Sequence, residues 1–382
     1  MTRIAAVFLT LVGVALTTTT SALGASWKSE LIFERVPSTY NELRDVSCTA
    51  GTACTAVGHY DTEGEAKTLA TRWNGKEWTI ETPPNPLEQT QSELWSVSCV
   101  SATACFAVGG AQHGVNTQKT LVEFWNGKEW KIQSSPNPAT SKASILKGVA
   151  CVSTTSCVAV GDFANGTSNE TLVESWNGTE WKIVKSPNPS TSFNQLVSVS
   201  CSASNACTAV GNDVHEGHEV GLVERWNGTE WALQTPAAPA EATYVNLYDA
   251  DCLSATECYI VGTAKFGTSG TSGDIQIWNG KEWKLQTSPN PSGAKQVLLH
   301  GIACTSGTVC EAVGDYINSE SKVERMAQRW NGKEWTLQAV ESLSAKFSAL
   351  LGLSCTAAAE CQAAGEVENL AGKMLGLIET YA

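Results

Sequence analysis

Fourteen cysteines fall into seven pairs with one spacing, C-x5-C: Cys48/Cys54, Cys99/Cys105, Cys151/Cys157, Cys201/Cys207, Cys252/Cys258, Cys304/Cys310 and Cys355/Cys361. First cysteines follow one another at intervals of 51, 52, 50, 51, 52 and 51 residues. A period of about 50 residues marks a tandem-repeat architecture, in which short units stack because none can bury its own apolar face alone. Zinc knuckles favour C-x2-C used two at a time, whereas evenly paired cysteines in an exported chain read as a disulfide framework. On that reading no thiol is left over for catalysis or metal binding.

Within each interval the same four segments recur in order. In the second they are "LWSVSC" (94–99), "CFAVGG" (105–110), "TLVEFW" (120–125) and "EWKIQ" (129–133). All are short and rich in β-branched or aromatic residues, with turn residues between them, which predicts strands. Four antiparallel strands per unit predict an all-β, seven-bladed β-propeller with one C-x5-C disulfide in each blade. Only six "WNGKEW"-type hairpins occur, at 73, 125, 176, 226, 278 and 330. Trp27 lies as far before Cys48 as Trp78 lies before Cys99, and Tyr381 lies 20 residues after Cys361, just as Trp125 lies 20 after Cys105. The N-terminal strand is therefore expected to join the C-terminal strands and close the ring, with a seventh blade from about 25–36 plus 343–382. Closure of this kind removes exposed strand edges.

The strands, glycines and spaced aromatics of "CFAVGG … TLVEFWNGKEW" resemble the kelch repeat, and the chain is similar to uncharacterised secreted cysteine-rich repeat proteins of bacteria. The resemblance implies architecture and no activity. The double glycine is present only at Gly109 and Gly110; Gly58, Gly161, Gly211, Gly262, Gly314 and Gly365 are followed by His, Asp, Asn, Thr, Asp and Glu. The kelch-like copper oxidases need a Tyr-Cys crosslink, which a chain of fully paired cysteines does not offer.

Residues 1–24 combine Arg3, an apolar run from Ile4 to Leu16 and small residues at Ala22 and Gly24, the layout of a secretory signal peptide. A single propeller domain over 25–382, secreted or cell-surface associated, is expected to follow. No later segment is apolar enough to span a membrane. Lys and Arg number 25 against 38 Asp and Glu, a net charge of −13 with no basic run, which argues against nucleic acid as a partner.

Asn-Gly between strands signals a type I′ hairpin. A two-residue turn would pair Trp73 with Lys76; a four-residue loop would pair Trp73 with Trp78. Both put the tryptophans on one face, directed at a neighbouring blade, and their recurrence in every blade fits packing better than ligand binding.

Positions that differ between blades are where recognition can be specified. Four residues before each first cysteine stand Arg44, Trp95, Lys147, Val197, Tyr248, His300 and Leu351. Arg44, Lys147 and His300 offer polar contacts and Trp95 and Tyr248 stacking surfaces at the expected channel mouth; the competing reading is a plugged channel. The loops between second and third strands add "HEGHE", with His215 and His218, which read as a solvated loop because no helix presents both imidazoles to a metal. The triplets N-G-T at 165, 177 and 227 matter for glycosylation only in a host with that machinery. No metal, cofactor or catalytic motif is found; histidines are only five. A paired-carboxylate hydrolase built on Asp45, Asp249 and Asp251 stays open. The expectation is a monomeric, non-catalytic scaffold that binds an extracellular glycan or protein; the alternatives are a channel-mouth hydrolase or lyase, and a structural surface protein.

Overall fold

The computed structural model describes residues 26–32, 38, 40–87, 89–112, 114, 117–268 and 270–382. The expected signal peptide lies outside them. After β1 (Trp27–Leu31) come β2 (Asn41–Ala50), β3 (Ala53–Thr62), β4 (Glu65–Trp73) and β5 (Trp78–Glu81), hydrogen-bonded in that order. The plan recurs in β6 (Gln91–Ser101), β7 (Ala104–Gln112), β8 (Lys119–Trp125) and β9 (Trp130–Gln133), and in β10 (Ala143–Ser153), β11 (Ser156–Ala164), β12 (Asn169–Trp176) and β13 (Trp181–Val184). Next are β14 (Asn194–Ala203), β15 (Ala206–His215), β16 (His218–Trp226) and β17 (Trp231–Gln234), then β18 (Tyr244–Ser254), β19 (Glu257–Lys265), β20 (Thr271–Trp278) and β21 (Trp283–Gln286). They are followed by β22 (Gln296–Ser306), β23 (Val309–Ile317), β24 (Val323–Trp330) and β25 (Trp335–Gln338), and finally β26 (Ala345–Ala357), β27 (Glu360–Asn369) and β28 (Met374–Tyr381). Strand β1 pairs antiparallel with β28, Trp27 opposite Tyr381, and supplies the fourth strand of this last unit. First strands touch in the cyclic order β2, β6, β10, β14, β18, β22, β26 and again β2. Single parallel bridges, Ala66 with Gln91 and Val323 with Phe347, link two pairs of neighbouring units.

All seven disulfides form as expected: Cys48–Cys54, Cys99–Cys105, Cys151–Cys157, Cys201–Cys207, Cys252–Cys258, Cys304–Cys310 and Cys355–Cys361. Each joins directly opposed residues of a first and second strand, with Cα atoms 4.0 Å apart. The second cysteine of every pair is buried: Cys54, Cys105, Cys157, Cys207, Cys258, Cys310 and Cys361 all belong to the apolar clusters between units. Cys54 packs with Leu43 and Trp78, Cys207 with Leu196 and Trp231, Cys258 with Leu247 and Trp283, and Cys310 with Leu299 and Trp335. The second cysteines are therefore part of the core between units. A disulfide sulfur is a small hydrophobe, and the second strand is the one covered on both faces. Each crosslink closes a tight hairpin, so the chain entropy it removes is about 2 kcal/mol, at the low end for a disulfide.

The tryptophan hairpins take the four-residue form. Trp73 pairs with Trp78, and the Asn74 side chain accepts the N–H groups of Lys76 and Glu77 at 2.9 and 3.0 Å. Of this loop only Gly75 has positive φ, so the turn is not type I′. Paired positive-φ residues occur instead between second and third strands, at Glu63–Gly64 and Glu216–Gly217. The second tryptophan of each hairpin is buried against the preceding unit: Trp181 packs on Phe106, Val108 and Val122, and Trp231 on Val160 and Val173. Arg72 lies over the Trp125 ring at 4.2 Å and Arg329 over Tyr381 at 5.3 Å, so Tyr381 occupies a tryptophan's place.

Two residues before the first tryptophan, the third strands β12 and β16 each send a glutamate back to the preceding unit's exit connector. Ser135 donates to Glu174 at 2.9 Å and Ser186 to Glu224 at 2.6 Å. Both glutamates are fully buried, and burial pushes their carboxyls up to about 8. At Glu123 the connector residue is Pro83, which has no hydroxyl, and neither carboxylate oxygen finds a partner. Burial raises this carboxyl well above its ordinary value.

Candidate ligand site at the channel mouth

Every first strand carries a β-bulge at one place: the register skips from Leu43 to Asp45, Leu94 to Ser96, Leu146 to Gly148, Leu196 to Ser198, Leu247 to Asp249, Leu299 to Gly301 and Leu350 to Gly352. The skipped residues are Arg44, Trp95, Lys147, Val197, Tyr248, His300 and Leu351, the variable set read from the sequence. A bulge leaves its extra residue unpaired and re-aims its side chain. The constant glycine of the second strand makes room for it. A Cβ on Gly161 would stand 2.0 Å from the Ile145 carbonyl oxygen, and one on Gly58 2.0 Å from that of Glu42. Glycine is thus required by close backbone approach rather than by a turn.

The structure brings the five proposed ligand residues together in two groups. Arg44 lies over the Trp95 ring at 3.7 Å, and Lys147 Nζ stands 5.9 Å from the same ring. Tyr248 and His300 meet with ring centroids 5.2 Å apart. Val197 and Leu351 separate the groups in chain order.

Each of the three basic side chains already has an acid. Arg44 is ion-paired with Glu42 and lies 3.7 Å from Glu93; Lys147 Nζ is 2.7 Å from Asp162 and donates to Gln195 at 2.6 Å; His300 Nε2 is 2.8 Å from Asp315. Glu42 also receives the Tyr40 hydroxyl at 2.7 Å and faces His59 Nδ1 at 3.3 Å. Burial opposes its charge, but the His59 hydrogen bond and the Arg44 guanidinium outweigh burial and hold its carboxyl down at about 2. Glu366 responds in the opposite sense: burial and then the Glu42 charge push it up to about 8. One of these neighbouring carboxyls is ionised while the other keeps its proton.

Sequence reading missed these partners, although their signal was present. His59, Asp162, Asp315 and Glu366 are the residues that follow the constant glycine, where the sequence alone shows only departures from a double-glycine repeat.

Next to the bulges, a cavity of about 350 Å³ is walled by all seven first strands. Asp45, Asp249 and Asp251 line it, as do Ser47, Ser96 and Ser98. These side chains stitch neighbouring units: Asp45 accepts Val97 N–H at 2.9 Å, Asp249 accepts Ile302 N–H at 2.8 Å and Asp251 accepts Cys304 N–H at 2.6 Å. Ser47 and Ser98 do the same for Cys99 and Cys151, each at 3.0 Å. Burial raises all three aspartates, Asp45 to about 6 and Asp249 to about 7. They share a cavity, as a carboxylate pair would need, but their oxygens are engaged in holding strands together.

His215 and His218 do not sit on an irregular loop. They are directly opposed across the Glu216–Gly217 turn that joins β15 to β16, so a strand pair presents both imidazoles. Among the described residues no group of three or more His, Cys, Asp or Glu is placed to hold a metal ion.

No protein-family model and no curated protein sequence matches the chain. Solved structures do. YCF48 bound to a D1 peptide aligns with a TM-score of 0.54 at 14% identity, covering 93% of this chain and 96% of that one. An ulvan lyase, described as a new family of polysaccharide lyase, aligns at 0.58 and 10% identity over 86% and 90% of the two chains. The same kind of lyase bound to -[GlcA(1-4)Rha3S]- aligns at 0.58 and 9% over 89% and 94%. At such identities the likeness concerns fold: all-β, built of repeated four-stranded antiparallel units, propeller-like.

Proposed function

We propose that the protein is a secreted, monomeric, seven-bladed β-propeller, kelch-like in strand plan, that binds an extracellular glycan or protein at its channel mouth without catalysis. Residues 1–24 form the signal peptide and 25–382 the single propeller domain. What supports the binding reading is the bulge. In every unit the bulge takes out of the strand ladder an inner-strand residue that differs in all seven units, and Arg44, Trp95, Lys147, Tyr248 and His300 are five of these. The seven disulfides suit an oxidising, extracellular location.

Charge narrows the ligand. Arg44, Lys147 and His300 each face a carboxylate, so the mouth has little unmatched positive charge to attract a polyanion, and the chain is acidic overall. A neutral glycan, or a peptide without acidic runs, fits better than a sulfated or uronic-acid polymer. An array of neutral, uronic and sulfated oligosaccharides and of peptides, probed with the disulfide-intact protein, tests this. Binding concentrated on neutral members is expected; preferential capture of sulfated members would overturn the assignment.

A second reading, a channel-mouth lyase or hydrolase, draws on one observation: Tyr40 stacks on His59 at 5.4 Å beside Glu42 and Arg44. Release of unsaturated or reducing ends from any member of that array would favour it.

A further inference from the structure

In three units the third strand and the exit connector are closed by a threonine–asparagine pair. The asparagine accepts the threonine N–H, from Thr68 to Asn85 at 3.0 Å, from Thr120 to Asn137 at 3.2 Å and from Thr171 to Asn188 at 2.8 Å. The threonine hydroxyl bonds the same connector, as from Thr171 to the Pro187 carbonyl at 3.0 Å. In the unit β14–β17 both partners are missing. Gly221 replaces the threonine and Ala238 the asparagine, in a connector that reads "TPAAPA" where four others read "SPNP" or "PPNP". Ala238 has no acceptor to offer the Gly221 N–H.

A cleft of about 700 Å³ lies where the pair is absent, twice the volume of the central cavity. Pro236, Pro239, Val220, Val245 and Tyr244 wall it, and His215, His218, Glu216 and Glu219 stand at its rim. The altered connector is fixed from behind: Gln276 of the next unit bonds both the N–H and the carbonyl of Ala237, at 2.7 and 2.9 Å. A proline at 237, as found in the corresponding place of the three closed units, has no N–H to give Gln276. The substitutions at 221, 237, 238 and 276 therefore act together to hold an open cleft.

We infer that this cleft is a second ligand site, separate from the mouth, for a neutral molecule with a flat apolar body and a carbonyl or amide group. Proline and tyrosine faces suit a flat ring system, and the volume falls in the range of small-molecule sites. The amide oxygen takes the place that the asparagine oxygen holds in the other units, opposite the Gly221 N–H. Imidazoles at the rim add donors, while Glu216 and Glu219 disfavour an anion. Sugars, which need many polar partners, do not fit walls of this composition.

The test uses 2-naphthamide, naphthalene and 2-naphthoate, three bicyclic probes that differ in the polar group, with the intact protein followed by NMR of the histidine side chains. Binding of 2-naphthamide that shifts His215 and His218 but not His59 or His300 is expected, with naphthalene and 2-naphthoate each at least about fivefold weaker, the size of one net hydrogen bond. Ala238→Asn restores the residue that four other units carry, so it keeps the fold, and it is expected to weaken 2-naphthamide at least about fivefold. His218→Ala serves as the rim variant and is expected to weaken it as well. No shift at His215 and His218, equal or tighter binding of 2-naphthoate, or unchanged affinity in Ala238→Asn would overturn the inference. None of these outcomes touches the mouth, which the oligosaccharide array tests separately.

Discussion

Trp181 and Lys147 belong to the same unit and are handled in opposite ways. Trp181 sits on an outer strand whose sequence barely changes from unit to unit, and its ring is buried against Phe106 and Val122 of the preceding one. Lys147 sits on an inner-strand bulge where no two units carry the same residue, and its ammonium is held by Asp162 and Gln195. Packing between units has to be solved at every junction, so the outer position repeats. Nothing in the packing requires a particular side chain at the bulge, which leaves it free to specify a ligand. The glycine opposite the bulge connects the two regimes: it is constant so that its neighbour on the first strand can vary.

The largest expected effect comes from breaking that connection. Gly161→Ala drives a methyl into the Ile145 carbonyl, backbone against backbone, and should cost more than about 4 kcal/mol, seen as lost yield or a collapsed melting transition. Its control is the adjacent pair in β7. Gly109→Ala should behave like Gly161→Ala, whereas a Cβ on Gly110 meets only the end of the flexible Gln118 side chain and should change stability by less than about 0.5 kcal/mol. A uniform response of the two glycines would refute the bulge account.

Next in size is the outer strand. Trp181→Ala empties a buried indole site between units and should cost about 3 kcal/mol in denaturant melts while the other interfaces persist. Replacing Cys151 and Cys157 together by serine should cost about 2 kcal/mol, since the loop removed is short.

A smaller and graded effect is expected from pH. Glu174 and Glu224 are raised to about 8 by burial, above the range of an exposed carboxyl. The folded state therefore holds these protons more tightly than the unfolded chain. Their contribution is fully present below about pH 4.3, declines as pH rises, and is lost once pH passes about 8. The melting temperature should fall from pH 5 to pH 8. Glu174→Gln and Glu224→Gln, which resemble Gln276 and Gln328 at the same position, should flatten the decline. An unchanged slope in the double variant would place the titrating groups elsewhere.

The repeat, the strand plan, the disulfides and the variable inner position were legible in the sequence because each follows from spacing and residue type. The pairing of Trp27 with Tyr381 was legible too, by counting from cysteines. What the sequence did not yield were features that depend on register. A β-bulge has no residue signature of its own, so residue type alone does not determine which way Arg44 or Trp95 points. Spacing likewise pairs Cys201 with Cys207 without telling that Cys207 is the partner sunk in the core. The asparagine of "WNGKEW" suggested a type I′ turn, yet its side chain caps a four-residue loop, and the positive-φ pair formed at Glu216–Gly217 without an asparagine. Arg44 takes its acid, Glu42, from its own strand, but Asp162, which holds Lys147, comes from the next strand, and the Glu366 carboxyl is raised by burial and then by the charge of Glu42, 324 residues away.

The central claim is that the bulge residues recognise a ligand while the rest of the repeat builds the scaffold. The most direct measurement is the dissociation constant of the triple variant Arg44→Ala/Trp95→Ala/Tyr248→Ala for the best neutral oligosaccharide or peptide found on the array, with its melting temperature taken on the same sample. The account predicts affinity lowered by at least about a hundredfold, as for the loss of two or more central contacts, with the cooperative melt retained. Unchanged affinity in a folded triple variant would contradict it.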